Sequence, residues 1–169
     1  MNQAEKTELL EQIEKWNDAD EFSRCIEAIE AIPERKQGYL LTVWLSRAYS
    51  NLAVLGDHST HGEDDEVDGK LIRHAIELLE SVRAQGEGDP YWNARMGYSC
   101  LMAYSSAATA YEYAKRWLAL APDDPDAQKL VWDCEAYLEE ENSLEIALKE
   151  REDFIRRETP DDEKWVKCK

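Results

Sequence analysis

Apolar residues recur every three or four positions along most of this chain, and short polar turns interrupt them. That period is helical. Ala4, Leu9, Leu10, Ile13 and Trp16 predict a first helix over residues 3–16. After the polar turn Asn17–Asp20, the stripe Phe22, Cys25, Ile26, Ile29 and Ile32 predicts a second, stopped by Pro33. A third is predicted over 36–54. A fourth, over 69–85, carries Leu71, Ile72, Ala75, Ile76, Leu79 and Val82 and is ended by Gly86 and Gly88. Asp89-Pro90 then opens a fifth helix, because the Asp carboxylate caps free N–H groups and Pro fits the first helical position. A sixth follows before Pro122, and Asp124-Pro125 repeats the starting signal for a seventh over 125–140. An eighth, over 143–158, shows Leu144, Ala147, Leu148, Phe154 and Ile155 amid dense charge. The fold class is therefore all-α.

The spacing of the small residues adds a longer period. Ala48 and Gly97 lie in similar surroundings 49 residues apart, as do Ile26 and Ala75, whereas Ala75 and Ala110 are 35 apart. A unit of about 34 residues explains all three if about 15 residues are inserted between the third and fourth helices. The acidic, Gly-bounded stretch 57–69 has no apolar period and lies there. The predicted organisation is one helical domain over 1–158, with 57–69 as a loop insertion and 159–169 as a polar tail. A two-helix unit of this size has too little core of its own and buries its stripe against its neighbours.

Trp44 and Ala48 in one unit, and Trp92, Gly97, Ala110 and Pro122 in the next, carry a likeness to a known repeat. So do the phrases Asp-Pro-Tyr-Trp from Asp89, Arg-Met-Gly-Tyr from Arg95, and Leu-Ala-Leu-Ala-Pro-Asp-Asp from Leu118. Over residues 5–140 the chain resembles the tetratricopeptide repeat family. The likeness implies a right-handed α-α superhelix: three helix pairs followed by a capping pair. It also implies that the first helix of each pair lines a concave groove that binds protein or peptide. Departures are the 57–69 insertion, a short turn after Tyr104, and Trp92 standing one residue further from its small residue than Trp44 does.

Composition narrows the partners. With 37 acidic against 20 basic residues the net charge is −17. Such a surface repels phosphate backbones and anionic lipid, so neither nucleic acid nor a membrane is expected as a partner. A protein or peptide remains, a basic one being electrostatically favoured, and the expected oligomeric state is a monomer or weak homodimer. No apolar run approaches a membrane span, and the N-terminal residues have no signal-peptide pattern, which predicts a cytoplasmic protein with reduced cysteines. Cys100 and Cys134, 34 apart, read as one small core position recurring in successive repeats.

Catalytic chemistry finds little purchase. The sequence has no nucleophile elbow, no phosphate-binding Gly loop and no HExxH motif, so no enzyme activity and no cofactor are expected. His58 and His61, with Asp57, Glu63, Asp64, Asp65 and Asp68 nearby, could offer ligands to a divalent metal, but a long, over-charged loop does not preorganise them and a solvated insertion is the preferred reading. A metal-dependent regulator is the reading they would support. The repeat frame is more informative for binding. Counting 49 back and 34 forward from Tyr98 gives Tyr49 and Trp132, so three aromatics are predicted on one groove position. Leu45, Leu52, Tyr91, Ala94, Leu101 and Met102 are predicted beside them. Arg47 and Arg95 either add cationic contacts or pair with neighbouring carboxylates. The competing reading is a self-associating structural protein whose groove is filled by its own C-terminal helix or by a second copy.

Overall fold

The structure is a computed structural model that describes residues 3–56, 65–103 and 107–158. Among these residues there is no strand, and 88% of them are helical. The elements are α1 (Gln3–Asp18), α2 (Phe22–Glu30), α3 (Glu34–Leu55), α4 (Asp65–Ser81), the single turn α5 (Arg83–Gly86), α6 (Pro90–Met102), α7 (Ala107–Leu120) and α8 (Pro125–Glu158). Each long helix packs on the next in sequence. In addition α3 touches α1, α6 touches α3, and α8 touches α6.

The caps follow the sequence where the signal is strong. Asp89 Oδ1 accepts from the Tyr91 amide at 2.9 Å with Pro90 in the first turn of α6. Asp124 Oδ1 accepts from the Asp126 amide at 3.0 Å at the start of α8. The α1–α2 turn is closed by Asp20 in the left-handed region (φ 58°), which Asp tolerates better than most residues. Just past the end of α2 a side chain joins the backbone: Gln37 Nε2 donates to Ile32 O and to Ile29 O, which also accepts from the Ile32 amide.

Three boundaries differ from the sequence reading. Helix α4 starts at Asp65 and takes Gly69 into its first turns; a charge-rich helix start lacks the apolar period by which helices are recognised. The fourth helix also breaks at Val82 (φ −115°, ψ 15°), which sets α5 apart. Gly86 does more than end a helix. It is buried, and a Cβ there would lie 2.3 Å from Trp92 Cγ, so the tryptophan ring lies directly on its backbone. The third difference is larger. The predicted seventh and eighth helices, the capping pair, are one continuous α8 of 34 residues. The stretch Glu139–Ile146 holds neither Gly nor Pro, and Asn142-Ser143 alone costs a helix too little to end it.

Two buried clusters meet at α3. Ile13, Cys25, Ile26 and Ile29 pack with Leu41, Leu45 and Ala48. On the other side Val43 joins Leu79, Trp92, Met96, Ala110, Ala114, Leu130 and Cys134. Trp92 is fully buried, and its Nε1 donates to Leu79 O at 3.0 Å, so the polar end of this large side chain is satisfied. Cys25, Cys100 and Cys134 are buried and carry no disulfide. Burial raises all three thiols, Cys100 to about 11, which leaves them inert.

The burial pattern also resets the repeat register. Phe22, Cys25, Ile26 and Ile29 on α2 match Ile72, Ala75, Ile76 and Leu79 on α4 at a spacing of 50. Leu41, Leu45, Ser46 and Ala48 on α3 match Trp92, Met96, Gly97 and Ser99 on α6 at a spacing of 51, not 49. Contacts agree with the second value. Ser46 Oγ donates to Ala75 O at 2.9 Å, and a Cβ on Gly97 would approach Ala110 O at 3.7 Å, with Ala75 and Ala110 themselves equivalent. From α6 to α8 the spacing of 34 holds: Met96, Gly97 and Cys100 match Leu130, Val131 and Cys134.

Candidate functional site

A two-residue slip turns a helical side chain by about 200° around its axis. The residue of α3 equivalent to Tyr98 is therefore Arg47, and Tyr49 faces elsewhere. Tyr49 packs on the α1–α3 cluster, sets its ring edge-on to His74 at 4.8 Å, and donates from its hydroxyl to Glu30 Oε1. Burial, helped by that bond to Glu30, pushes its phenol up to about 12. Tyr98 belongs to the other cluster, against Trp117. The structure thus does not bring Tyr49 and Tyr98 together. Leu45 and Ala94 are core residues, and Leu52 is half-buried against the α1–α3 cluster. Trp132 lies 34 residues past Tyr98, on α8, and is 61% exposed.

What the fold does assemble is a row of rings and guanidinium groups along α3 and α6. Trp44 and Arg47 on α3 share a face, as do Tyr91, Arg95, Tyr98 and Met102 on α6, at spacings of three and four. The Trp44 and Tyr91 ring centroids are 6.2 Å apart. Arg47 lies over Trp44 at 5.0 Å, and its Nη1 donates to the Tyr91 hydroxyl at 3.0 Å. Arg95 lies between two rings, 5.3 Å from Tyr91 and 5.4 Å from Tyr98. Tyr98 closes the row against Trp117 at 6.0 Å. Where α3 and α6 touch, the Ser50 and Ser99 hydroxyls are hydrogen-bonded at 3.0 Å, and Asn51 donates to Asn17 Oδ1 on α1 at 3.0 Å.

Two hollows flank the row, and Arg95 and Tyr98 line both. One, of 190 Å³, is completed by Ser50, Asn51, Ser99 and Met102. The other, of 430 Å³, lies between α6, the end of α7 and the start of α8, with Tyr91, Trp117, Asp124 and Asp126 on its walls. Leu101 is half-buried on the core side of α6.

The cations here are half-buried, unlike Arg24, Lys115 and Lys129 in the chain's exposed ion pairs. Arg24 pairs with Glu21, Arg83 with Glu80 and Glu87, Lys115 with Glu112, and Lys129 with Asp133. Among the described residues neither Arg47 nor Arg95 meets a carboxylate, and the Nε of each is buried without an acceptor. Burial pushes the Arg95 guanidinium below its ordinary value; Tyr91 and Tyr98 oppose this and the Arg47 charge adds to it. The rings compensate in part, since a cation over an aromatic face gains about 0.5–2 kcal/mol.

Compared with protein-family models, curated proteins and solved structures, the chain finds no match. His58 and His61 lie outside the described residues. Among those residues no three His, Cys, Asp or Glu side chains gather as a metal would require, and no helix is long and apolar enough to cross a membrane.

The site residues that the sequence missed are Trp44, Ser50, Asn51, Ser99 and Trp117. Their signal was present in the stripes Trp44–Arg47–Asn51 and Tyr91–Arg95–Tyr98–Met102, two polar-aromatic faces on helices that must be neighbours.

Proposed function

We propose that this protein is a non-enzymatic adaptor of tetratricopeptide-like architecture, a right-handed α-α superhelix that binds a protein or peptide along α3, α6 and α8. The observation that carries this reading is the row Trp44–Tyr91–Arg95–Tyr98–Trp117. It joins rings to cations and borders open hollows, its rings resting on the core through the buried Trp117. Rigid aromatics with polar ends gain contact area at small entropic cost, which is why binding surfaces use them. The superhelix is supported by the contacts α1–α3, α3–α6 and α6–α8, and by the recurring spacings of 34 and 35 enlarged to 50 and 51 across the insertion. Three buried cysteines without disulfides suit a cytoplasmic setting.

Affinity capture from the source cells tests the reading. Wild type is compared with a Tyr91→Ala/Tyr98→Ala variant checked for folding by circular dichroism, with Tyr49→Phe as a control off the row. Partners recovered by wild type and the control but lost by the variant support it. Equal recovery by all three proteins rejects it.

A second reading, self-association, is favoured by the far half of α8. Leu144, Ile146 and Leu148 are 50–60% exposed there, and every side chain from Glu139 to Glu152 faces solvent, so this stretch does not fold back into the hollows. Light scattering across a hundredfold concentration range decides: a constant monomer mass removes this reading.

A further inference from the structure

The distal half of α8 leaves a patterned face uncovered. Tyr137, Glu141, Leu144, Leu148 and Arg151 follow one another at spacings of four, three, four and three, and all five are exposed. That rhythm averages about 3.5 residues, which places the five side chains along one stripe of the helix, the seam of a two-helix coil. The two polar members of the stripe carry opposite charges, and neither forms an ion pair among the described residues. The stripe is also symmetric about Ile146. Leu144 and Leu148 stand two residues to either side of it, and Glu141 and Arg151 five to either side. Two copies of α8 laid antiparallel, with their two-fold axis level with residue 146, therefore set Leu144 against Leu148 of the second copy and Glu141 against Arg151 of the second copy. Each contact occurs twice, as a two-fold interface requires.

We propose that two copies of this chain pair through the distal half of α8, antiparallel and in this register. The inference rests on the self-association reading and gives it a surface and a geometry. Charge selects the direction. A parallel pair would set Glu141 against Glu141, Arg151 against Arg151 and the acidic run Glu139–Glu141 against itself, and like charges in contact work against such a partner. The charged layer also fixes the register, as a polar residue in a coiled-coil seam does. The net charge of −17 opposes association only weakly at physiological salt, because exposed charges more than about 8 Å apart are largely screened. The seam is short, and Glu145 approaches its own copy beside the axis, so the dissociation constant is expected at roughly 10–100 µM.

Sedimentation equilibrium of the full-length protein from about 5 to 500 µM tests the pairing, with wild type expected to pass from monomer to dimer across that range. Glu141→Arg alone and Arg151→Glu alone each turn both charged layers into like pairs and should weaken the dimer at least about tenfold. The double variant Glu141→Arg/Arg151→Glu restores the layers with their charges exchanged and should return to within about threefold of wild type. In a parallel pair the single reversals would change little, since each only replaces one like pair by another. Leu144→Asn should remove the dimer, whereas Ile146→Asn, turned about 200° away around the helix, should leave it intact. All four positions are exposed, so each variant should keep the wild-type helix content by circular dichroism. Wild type that stays monomeric throughout would overturn self-association and this pairing together. Association that survives the single reversals, is not recovered in the double variant, or is lost equally in Ile146→Asn would overturn the pairing and leave self-association through another surface.

Discussion

The Tyr39 hydroxyl donates to Asp89 Oδ2, the carboxylate whose other oxygen caps α6. One aspartate thus starts a helix and ties it to α3, immediately after the break where Gly38 takes φ 68°. Asp89→Ala is expected to lose both functions, about 2 kcal/mol in urea unfolding, and Tyr39→Phe about 1 kcal/mol. In a double-mutant cycle the two losses should fall short of additive. Strict additivity would show that the bond contributes nothing.

Tyr49 supplies a pH dependence. Its folded value is raised to about 12, from an ordinary 10, by burial and by the bond to Glu30. A group raised in the folded state contributes stability that is complete below its unfolded value and is lost as pH climbs through the folded one. Stability should therefore fall between about pH 10 and pH 12. Tyr49→Phe should flatten that fall, measured as urea midpoints across the window. An unchanged slope would place the Tyr49 hydroxyl in water.

Two neighbouring glycines make a sharp contrast. A methyl on Gly86 would meet the Trp92 ring at 2.3 Å, whereas nothing lies within 4 Å of one on Gly88. Gly86→Ala is expected to cost about 3 kcal/mol, since Trp92 is fully buried and has nowhere to move. Gly88→Ala should stay within about 0.5 kcal/mol of wild type. Similar losses for both in thermal melts would mean that the contact between Trp92 and Gly86 is not as described.

Helix α8 divides into halves of unequal consequence. Ala127, Leu130, Val131 and Cys134 are buried against the body, so Leu130→Ala should cost about 3 kcal/mol. A chain ended after Glu141 loses only residues that are exposed wherever their burial is described, and its thermal midpoint should stay within about 2 °C of full length. A larger drop that depends on protein concentration would reveal self-association through the distal half.

Much of this fold was legible because its signals are local. The Asp-Pro starts of α6 and α8 act within one turn, and the apolar stripes of α2, α4 and α7 repeat at helical spacing. The site was legible only in part. Tyr91, Tyr98, Arg47, Arg95 and Met102 were expected on one surface and lie together along α3 and α6, but Tyr49 was put beside them by a spacing taken from Ala48 and Gly97. The residue packed as Gly97 is packed is Ser46, whose hydroxyl turns inward to a backbone carbonyl. A serine in a close helix contact resembles surface in a sequence, and that resemblance produced the slip. Between Leu138 and Leu144 the chain shows no apolar period, in a helix too exposed to need one, and so one helix read as two.

The distal half of α8 has a further consequence, one of reach. At 1.5 Å per residue, the stretch from Glu139 to Glu158 carries the chain about 30 Å. The helix therefore sets Glu158 about a helix-length from the half of α8 that is packed on the body. Inserting or removing a single residue before that point would swing Glu158 by about 100° while changing its distance by only about 1.5 Å.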